Sequence, residues 1–380
     1  MLRIMQINSG QRYAGVSAMI YHLYQNMDHE RIQFDFVAPK TSSFSIYRKQ
    51  IEDAGGRIIE LKTSGNFIKR KIQFFKRLSH LIKENQYEIV HVNSGSIFLN
   101  IQVSWIAKFC GVKTIIAHSH TGGNIHPFLT LLTKLTKPLL EFGPNLYFAC
   151  SNSAARFMFL PSRIKRHDYT VIDNGIKIEQ FKFNSKVRTD YRSKLGLNGK
   201  TVFLHVGRFQ SVKNHHKLVQ VFADFHKAHP NSVLLLAGEG ELLDSVKNQV
   251  KQLGLSVDVR FLGLRKDVAS LMSAADIFVL PSLFEGLPVV GVEAQAAGLP
   301  ILFSSSITDE VNLIPESNFF MDLKASDADW AQAAQQLVDK NKQADRTIAA
   351  KKVARAGYSL PVVAKQVEQI YLQRASGEVK

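Results

Sequence analysis

The stretch Thr201–Ala237, TVFLHVGRFQSVKNHHKLVQVFADFHKAHPNSVLLLA, decides the fold class. It opens on the apolar run Thr201–Val206 and passes through a loop that starts at Gly207. A helical pattern over His215–His229 follows, and a second apolar run, Ser232–Ala237, closes it. Strand, helix and strand at this spacing make one βαβ unit of a parallel sheet. The alternation continues outward. Downstream, Val259–Leu262, Ile277–Leu280 and Ile301–Phe303 read as strands, with helical patterns near Glu241–Leu253, Val268–Ala274 and Val289–Ala297. Upstream, Leu2–Asn8, Ile32–Ala38, Ile58–Leu61, Ile89–Asn93, Thr114–His118 and Leu146–Ala149 read likewise, with a helix near Ala14–Met27. The expectation is α/β: two successive Rossmann-like, doubly wound parallel sheets. The polar segment Lys182–Leu197 is the expected hinge, giving domains over 1–182 and 183–359. Open sheets take ligands outside the carboxyl ends of their strands, so two facing sheets would hold one in the cleft between them.

Composition narrows the function classes. Of 380 residues, 45% are hydrophobic and 21% charged, which excludes a disordered chain, a fibre or a collagen. Two cysteines, Cys110 and Cys150, exclude a disulfide framework and a cysteine-rich zinc module, and read as reduced, buried thiols. The uncharged stretch Thr114–Thr133 is long enough to span a bilayer, but His118, His120, Asn124 and His126 would have to be desolvated, so no span is expected. No basic leader precedes an apolar run at the amino terminus, so no signal peptide is expected and the cytoplasm is the expected location. Residues 1–180 carry 23 basic and 12 acidic side chains, against 25 and 20 in residues 181–380. The positive field of the first half favours polyanions, an anionic membrane or phosphorylated substrates.

Four loops carry candidate chemistry. Asn8–Gly15 follows a strand and opens a helix, and its small residues, Gly15 among them, would let backbone approach a phosphate or sugar. His118 and His120 end a strand two residues apart, so they face the same way. A metal pair would need a third ligand from elsewhere, since no Asp or Glu lies between Glu88 and Glu141. A hydrogen-bonding or polarising role in a cleft is the better reading of His120. In the loop Val206–Asn214, Gly207 precedes Arg208, and Lys213 stands five residues on; both cations can converge on one anion, a diphosphate being the expectation. The strongest feature is Pro281–Ala294, PSLFEGLPVVGVEA. Glu285 lies on a loop, and Glu293 lies one to two turns inside a helix that starts near Pro288. A bare glutamate in so apolar a segment costs several kcal/mol, about 2–7, so ligand hydroxyls are the expected partners. The amides of Gly286, Leu287, Pro288 and Val289 would sit at that helix start, save that proline has none. Gly238, and the loop holding Arg265, Asp267 and Val268, would complete a nucleotide cleft by offering backbone groups to a base.

On these residues the chain resembles the retaining glycosyltransferases of family 4, with the GT-B fold of two facing Rossmann-like domains. Within them it is similar to the bacterial exopolysaccharide and capsular polysaccharide enzymes. The likeness rests on His118-Ser119-His120, Ile172-Asp173-Asn174-Gly175-Ile176, Val206-Gly207-Arg208-Phe209, Lys213-Asn214-His215 and the run Glu285-Gly286-Leu287-Pro288 to Glu293-Ala294. It implies that Arg208 and Lys213 neutralise a donor diphosphate, that Glu293 binds ribose hydroxyls, and that Glu285 with the following amides holds the transferred sugar. His120 would contact that sugar near the reacting centre, and Gly15 would approach the diphosphate and the acceptor. Ala14 and Ser17 depart from the usual glycine and acidic residue there. The resemblance further implies a UDP-sugar donor, no metal and no other cofactor, no protein nucleophile, and residues 360–380 packing back on the first domain.

Residues 62–83 hold seven basic and no acidic side chains, interleaved with Phe67, Ile68, Ile72, Phe74 and Phe75. Residues 128–142 combine leucines with Lys134 and Lys137. Two readings stand: docking of the first domain on the anionic inner face of the plasma membrane, with use of a lipid-diphosphate-linked sugar or oligosaccharide acceptor, or a core-packing helix with a solvated basic face. The rival enzyme is a GT-B nucleotide-sugar epimerase or hydrolase, which needs no acceptor. Nucleic acid is not an expected partner, because the basic residues accompany no reading motif. A dehydrogenase lacks support, since no Gly-x-Gly-x-x-Gly follows the first strand.

Overall fold

The computed structural model describes residues 1–8, 15–39, 42–123 and 127–377. The chain forms two compact units, Met1–Gly175 with Leu360–Lys380, and Ile176–Ser359. In the first, β1 (Leu2–Asn8), β2 (Ile32–Ala38), β3 (Arg57–Glu60), β4 (Ile89–Ser94), β5 (Thr114–Ser119), β6 (Leu146–Ala149) and β7 (Thr170–Val171) form one sheet in the order β3-β2-β1-β4-β5-β6-β7. In the second, β8 (Thr201–Val206), β9 (Ser232–Ala237), β10 (Val259–Gly263), β11 (Ile277–Leu280), β12 (Ile301–Ser304) and β13 (Asn318–Met321) follow the order β10-β9-β8-β11-β12-β13. All these pairings are parallel. Each sheet winds outward in both directions from its first strand. The order therefore reverses beside β1 in one unit and beside β8 in the other, and such a reversal is where open α/β sheets bind ligands.

The helices cover both faces of each sheet, which is why the strands read as continuous apolar runs. In the first unit Ile4, Ile89, Ile116 and Phe148 face the helices Gly15–Tyr24 and Leu360–Ser376, the latter contributing Val363, Val367 and Tyr371. Met5, Ile7, Val90, Val92 and Ile115 face the other way, against Phe74, Leu78 and Ile82 of Phe67–Asn85 and Val103 of Ile97–Phe109. In the second unit Phe203, Leu234 and Val279 pack on Phe222 and Phe225 of His215–Ala228 and on Trp330 of Asp327–Asn341. The carboxyl-terminal helix belongs to the first unit, as the family resemblance implied.

Two readings change. The segment 182–197, expected to be a hinge, contains the helix Ser185–Lys194 and lies in the second unit. Arg188 donates to the carbonyls of Ser273, Ala274 and Ala275, and Arg192 to that of Ala274. Both also pair with Asp276. The charge that suggested a solvated linker instead caps the end of the helix Val268–Ala274. Cys150 is buried but Cys110 only partly so, and neither is in a disulfide. Asp35 of β2 is fully buried and held by Arg3, Arg57 and Tyr87, which makes it a structural anchor of the sheet.

Candidate functional site

The loops that leave β8, β9, β10 and β11 lie side by side because those strands are neighbours. Backbone hydrogen bonds stitch them together. The Gly207 amide donates to the Ala237 carbonyl, Phe209 to Glu239, Gly238 to Gly263 and Leu283 to Val212. Gly238 and Gly240 adopt φ of 144° and 157°. A Cβ on Gly238 would lie 2.0 Å from the Gly207 oxygen, and one on Gly240 would lie 2.4 Å from the Phe209 oxygen. Only glycine permits this approach of backbone to backbone. The result is one rigid ledge carrying Gly207, Arg208, Lys213, Gly238, Arg265, Asp267, Val268, Glu285, Gly286, Leu287 and Pro288 at the carboxyl edge of the second sheet.

Lys213 and Glu285 meet at the reversal between β8 and β11. The Lys213 Nζ lies 2.6 Å from Glu285 Oε1, with both side chains largely buried. The glutamate expected to be bare thus has a protein partner 72 residues away, and Lys213 is held in an ion pair. Arg208 itself is exposed. Arg265 forks onto Asp267, which also accepts from Tyr191 at 2.9 Å. That arrangement fixes the loop 263–268 and leaves its backbone as the part available to a ligand.

Glu293 lies within the helix Val289–Ala296, whose N-cap is Pro288. It forms no ion pair or side-chain hydrogen bond among the described residues, and burial pushes its carboxyl up to about 8. A carboxyl raised by burial and without a protein partner can take ligand hydroxyls. Beneath the ledge, His205 donates from Nδ1 to the Val279 carbonyl at 2.8 Å, while His215 stacks on Phe209 with ring centroids 4.0 Å apart. Burial drives His205 down to about 4 and His215 to about 2, so both are neutral supports of the loop. Sequence reasoning missed this pair, although His205 sits on an otherwise apolar strand directly before Gly207.

At the carboxyl edge of the first sheet, His120 follows β5 and its Nε2 lies 3.3 Å from Asn93 Oδ1. Its ring rests on that of His118, with centroids 4.0 Å apart, as the two-residue spacing required. Burial lowers His120 to about 3, so it works as a neutral imidazole. His118 Nδ1 is engaged by His91 at 3.1 Å, so the two histidines do not open toward a common metal. Among the described residues no three His, Cys, Asp or Glu side chains group in a way that could hold a metal ion. Ser17, where an acidic residue was noted as frequent, is buried and bonded to Asn8 at 2.8 Å and to Ser43 at 2.6 Å. Gly15 is the first residue of its helix and open to solvent, whereas Ser9–Ala14 of that loop lie outside the described residues.

The pattern described as Glycosyl transferases group 1 matches residues 187–353, and that described as Glycosyltransferase Family 4 matches residues 13–180. EpsF of Bacillus subtilis (strain 168), named as a glycosyltransferase, is 33% identical over 317 residues, 82% of this chain and 81% of EpsF. The chain belongs to the glycosyltransferases, with the family 4 pattern over its first half and the group 1 pattern over its second. The UDP-Gal:alpha-D-GlcNAc-diphosphoundecaprenol alpha-1,3-galactosyltransferase of Escherichia coli is 30% identical to this glycosyltransferase over 243 residues, 60% of each chain. Among solved structures, Anabaena HepE in complex with UDP and glucose superposes with a TM-score of 0.80 at 16% identity, over 98% of this chain and 100% of HepE. WaaG, a glycosyltransferase involved in lipopolysaccharide biosynthesis, gives 0.71 at 14%, over 97% and 99%. The fold of this glycosyltransferase is GT-B: two Rossmann-like units of seven and six parallel strands.

Proposed function

We propose that this glycosyltransferase moves a hexose from a UDP-sugar to a lipid-diphosphate-linked saccharide in exopolysaccharide synthesis, with retention of anomeric configuration. The observation that carries the reading is the Lys213–Glu285 pair, set on the glycine-stitched ledge at the strand-order reversal of the second sheet. Support for the donor comes from HepE, whose structures hold UDP with glucose and UDP-glucose. Support for the acceptor comes from the Escherichia coli relative, whose name describes a diphosphoundecaprenol-linked substrate.

Departure of a nucleoside diphosphate builds negative charge on its oxygens. Lys213 and Arg208 stabilise that charge, and the start of the helix Val289–Ala296 adds its dipole. No metal enters this step. Glu285 aims Lys213 through their ion pair, and offers its second oxygen to hydroxyls of the transferred sugar. Glu293 accepts from the ribose hydroxyls. The acceptor hydroxyl attacks the anomeric carbon from the face the diphosphate leaves, and its proton passes to the departing diphosphate. The C–O bond to the diphosphate breaks as the C–O bond to the acceptor forms, so no protein nucleophile is needed.

The surface of the first unit fits a lipid-linked acceptor. In the helix Pro127–Leu140, Thr133, Lys137 and Leu140 are buried, while Phe128, Leu131, Leu135 and Leu139 face solvent at three- and four-residue intervals beside the exposed Lys134. Lys137 points inward and donates to the Arg156 carbonyl at 2.8 Å. The helix Phe67–Asn85 exposes Phe67, Ile68, Ile72 and Phe75 among Lys69, Lys71 and Lys76. So large an apolar and cationic surface matches the chemistry of an anionic bilayer interface. No helix among the described residues is long and apolar enough to cross a membrane, so the docking proposed is peripheral. UDP release that rises with a lipid-linked acceptor tests the transfer. Release indifferent to acceptor would move the reading to a hydrolase or epimerase.

A further inference from the structure

The covered face of the first sheet changes character along its three central strands. Each begins apolar and ends polar on that face, as Ile4–Gln6–Asn8, Ile89–His91–Asn93 and Ile116–His118–His120. Period-two geometry stacks these residues in rows, and the register pairs Gln6 with His91 and Asn93 with His118. Into this polar end the carboxyl-terminal helix inserts Tyr371, which is 1% exposed. A chain of hydrogen bonds results. Gln6 Nε2 lies 2.9 Å from the Tyr371 hydroxyl, the hydroxyl 2.6 Å from His91 Nδ1, and His91 Nε2 3.1 Å from His118 Nδ1. On the other side Asn93 Nδ2 lies 2.8 Å from Gln6 Oε1, and Asn93 Oδ1 lies 3.3 Å from His120 Nε2.

The chain can carry its protons in only two senses, and the backbone selects one. Asn93 Nδ2 also lies 3.4 Å from the His91 carbonyl oxygen. Reversing the Asn93 amide would set two oxygens against each other there, so Asn93 donates to Gln6 and to that carbonyl. The rest follows by counting donors. Gln6 donates to Tyr371, whose one proton goes to His91 Nδ1. His91 then carries its proton on Nε2 and donates to His118 Nδ1. His118 is left protonated on Nε2, a buried nitrogen with no partner among the described residues. Asn93 Oδ1 accepts from His120, which is therefore protonated on Nε2 and presents Nδ1 as an acceptor.

We infer that Tyr371, although 251 residues beyond His120 in the chain, is a positioning residue: it sets the tautomers of His91 and His118, on whose ring the active-site imidazole of His120 rests, while Asn93 sets the tautomer of His120 itself. His120 is thereby set to accept a hydroxyl proton of the transferred sugar and not to donate to the diphosphate. This inference rests on the transferase reading for its consequence, but not for its geometry. The last helix, which belongs to the first unit, brings the Tyr371 hydroxyl to this polar end of the sheet.

The test uses the full-length protein labelled with 15N at histidine, with His91, His118 and His120 assigned by single substitutions. Two-bond 15N–1H spectra at pH 7.5 read the tautomers directly. The expected result is Nε2–H at all three in the wild type, and a mixture of tautomers at His91 and His118 in Tyr371→Phe. Nδ1–H at His120, or tautomers in Tyr371→Phe identical to wild type, would overturn the inference. The second arm measures transfer from UDP-glucose or UDP-galactose to a lipid-linked acceptor. Tyr371→Phe is expected to lower kcat about fivefold, the equivalent of one net hydrogen bond of ~1 kcal/mol, with little change in KM. Shifted tautomers with unchanged kcat would overturn the positioning role. A wild type that transfers nothing would refute the transferase reading and leave the tautomer result standing. The wild-type spectrum decides the sense of the chain even if the variant folds poorly.

Discussion

Glu293→Gln should stabilise the protein while weakening its hold on nucleotide. The carboxyl sits within its helix with no protein partner, and burial raises it from the ordinary 4.5 to about 8. The folded state therefore keeps a proton that the unfolded chain loses between those values, and the unfolded state is favoured as pH climbs through that window. The contribution to stability is fully present below 4.5 and falls away toward pH 8. At pH 7.5 the window above 4.5 spans three pH units, each worth about 1.4 kcal/mol, which sets a ceiling of ~4 kcal/mol. Partial exposure of Glu293 to water reduces this to roughly 2 kcal/mol. Glutamine keeps the shape without the ionisation. Removing such a term should raise the melting temperature of the second unit by about 4–8 °C at pH 7.5 and by almost nothing at pH 5. Scanning calorimetry of wild type and variant at both pH values measures it. Binding of UDP should fall by about 30- to 100-fold, as two ribose hydroxyls lose a carboxylate acceptor. UDP binding to the wild type at pH 7 should release nearly one proton, seen as a buffer-dependent enthalpy, and the variant should release none. A wild type whose stability does not change between pH 5 and 8, or a variant that melts lower at pH 7.5, would refute the reasoning.

Three further outcomes follow from the same geometry. Lys213→Ala and Glu285→Ala should each lower turnover by about 10²–10³-fold, and a double-mutant cycle on unfolding free energy should return a coupling of about 1–3 kcal/mol, where additivity would mean the pair is not formed in solution. Gly238→Ala forces a Cβ to within 2.0 Å of the Gly207 oxygen; the ledge must open, and the expected loss is about 2–3 kcal/mol of stability with loss of UDP binding, read by urea unfolding and titration calorimetry. Leu131→Gln with Leu135→Gln should leave the melting temperature within about 2 °C and abolish cosedimentation with phosphatidylglycerol vesicles, since both side chains are already exposed; binding that survives would remove this face from membrane docking.

Most of the two sheets was legible because buried parallel strands are short apolar runs with helices between them. The short strands Thr170–Val171 and Asn318–Met321 were not, since two to four residues at a sheet edge carry too little pattern. The motifs on the ledge were legible as residues but not as pairs. Glu285 announced that it needed a partner, yet only the strand order brings Lys213 beside it. The same holds for the histidine site: His118 and His120 stand out in the sequence, whereas Gln6, His91 and Tyr371 look like single polar residues in apolar elements. Gln6 and Tyr371 are 365 residues apart, and nothing local to either predicts the other. The helix Pro127–Leu140 shows the limit from another side. Its leucine stripe would ordinarily be turned inward, yet Lys137 goes inside to the Arg156 carbonyl and Thr133 is buried while bonded back to Leu129 of its own helix.

The central claim is that the ledge of the second unit holds a nucleotide sugar which is spent on an acceptor. The most direct measurement is UDP release from a panel of UDP- and GDP-sugars, in EDTA, with and without a diphosphoundecaprenol-linked saccharide, for the wild type, Lys213→Ala and Glu285→Ala. The account predicts release from one UDP-sugar that rises with acceptor and collapses in both variants. Turnover that ignores the acceptor, or that survives both substitutions, would contradict it.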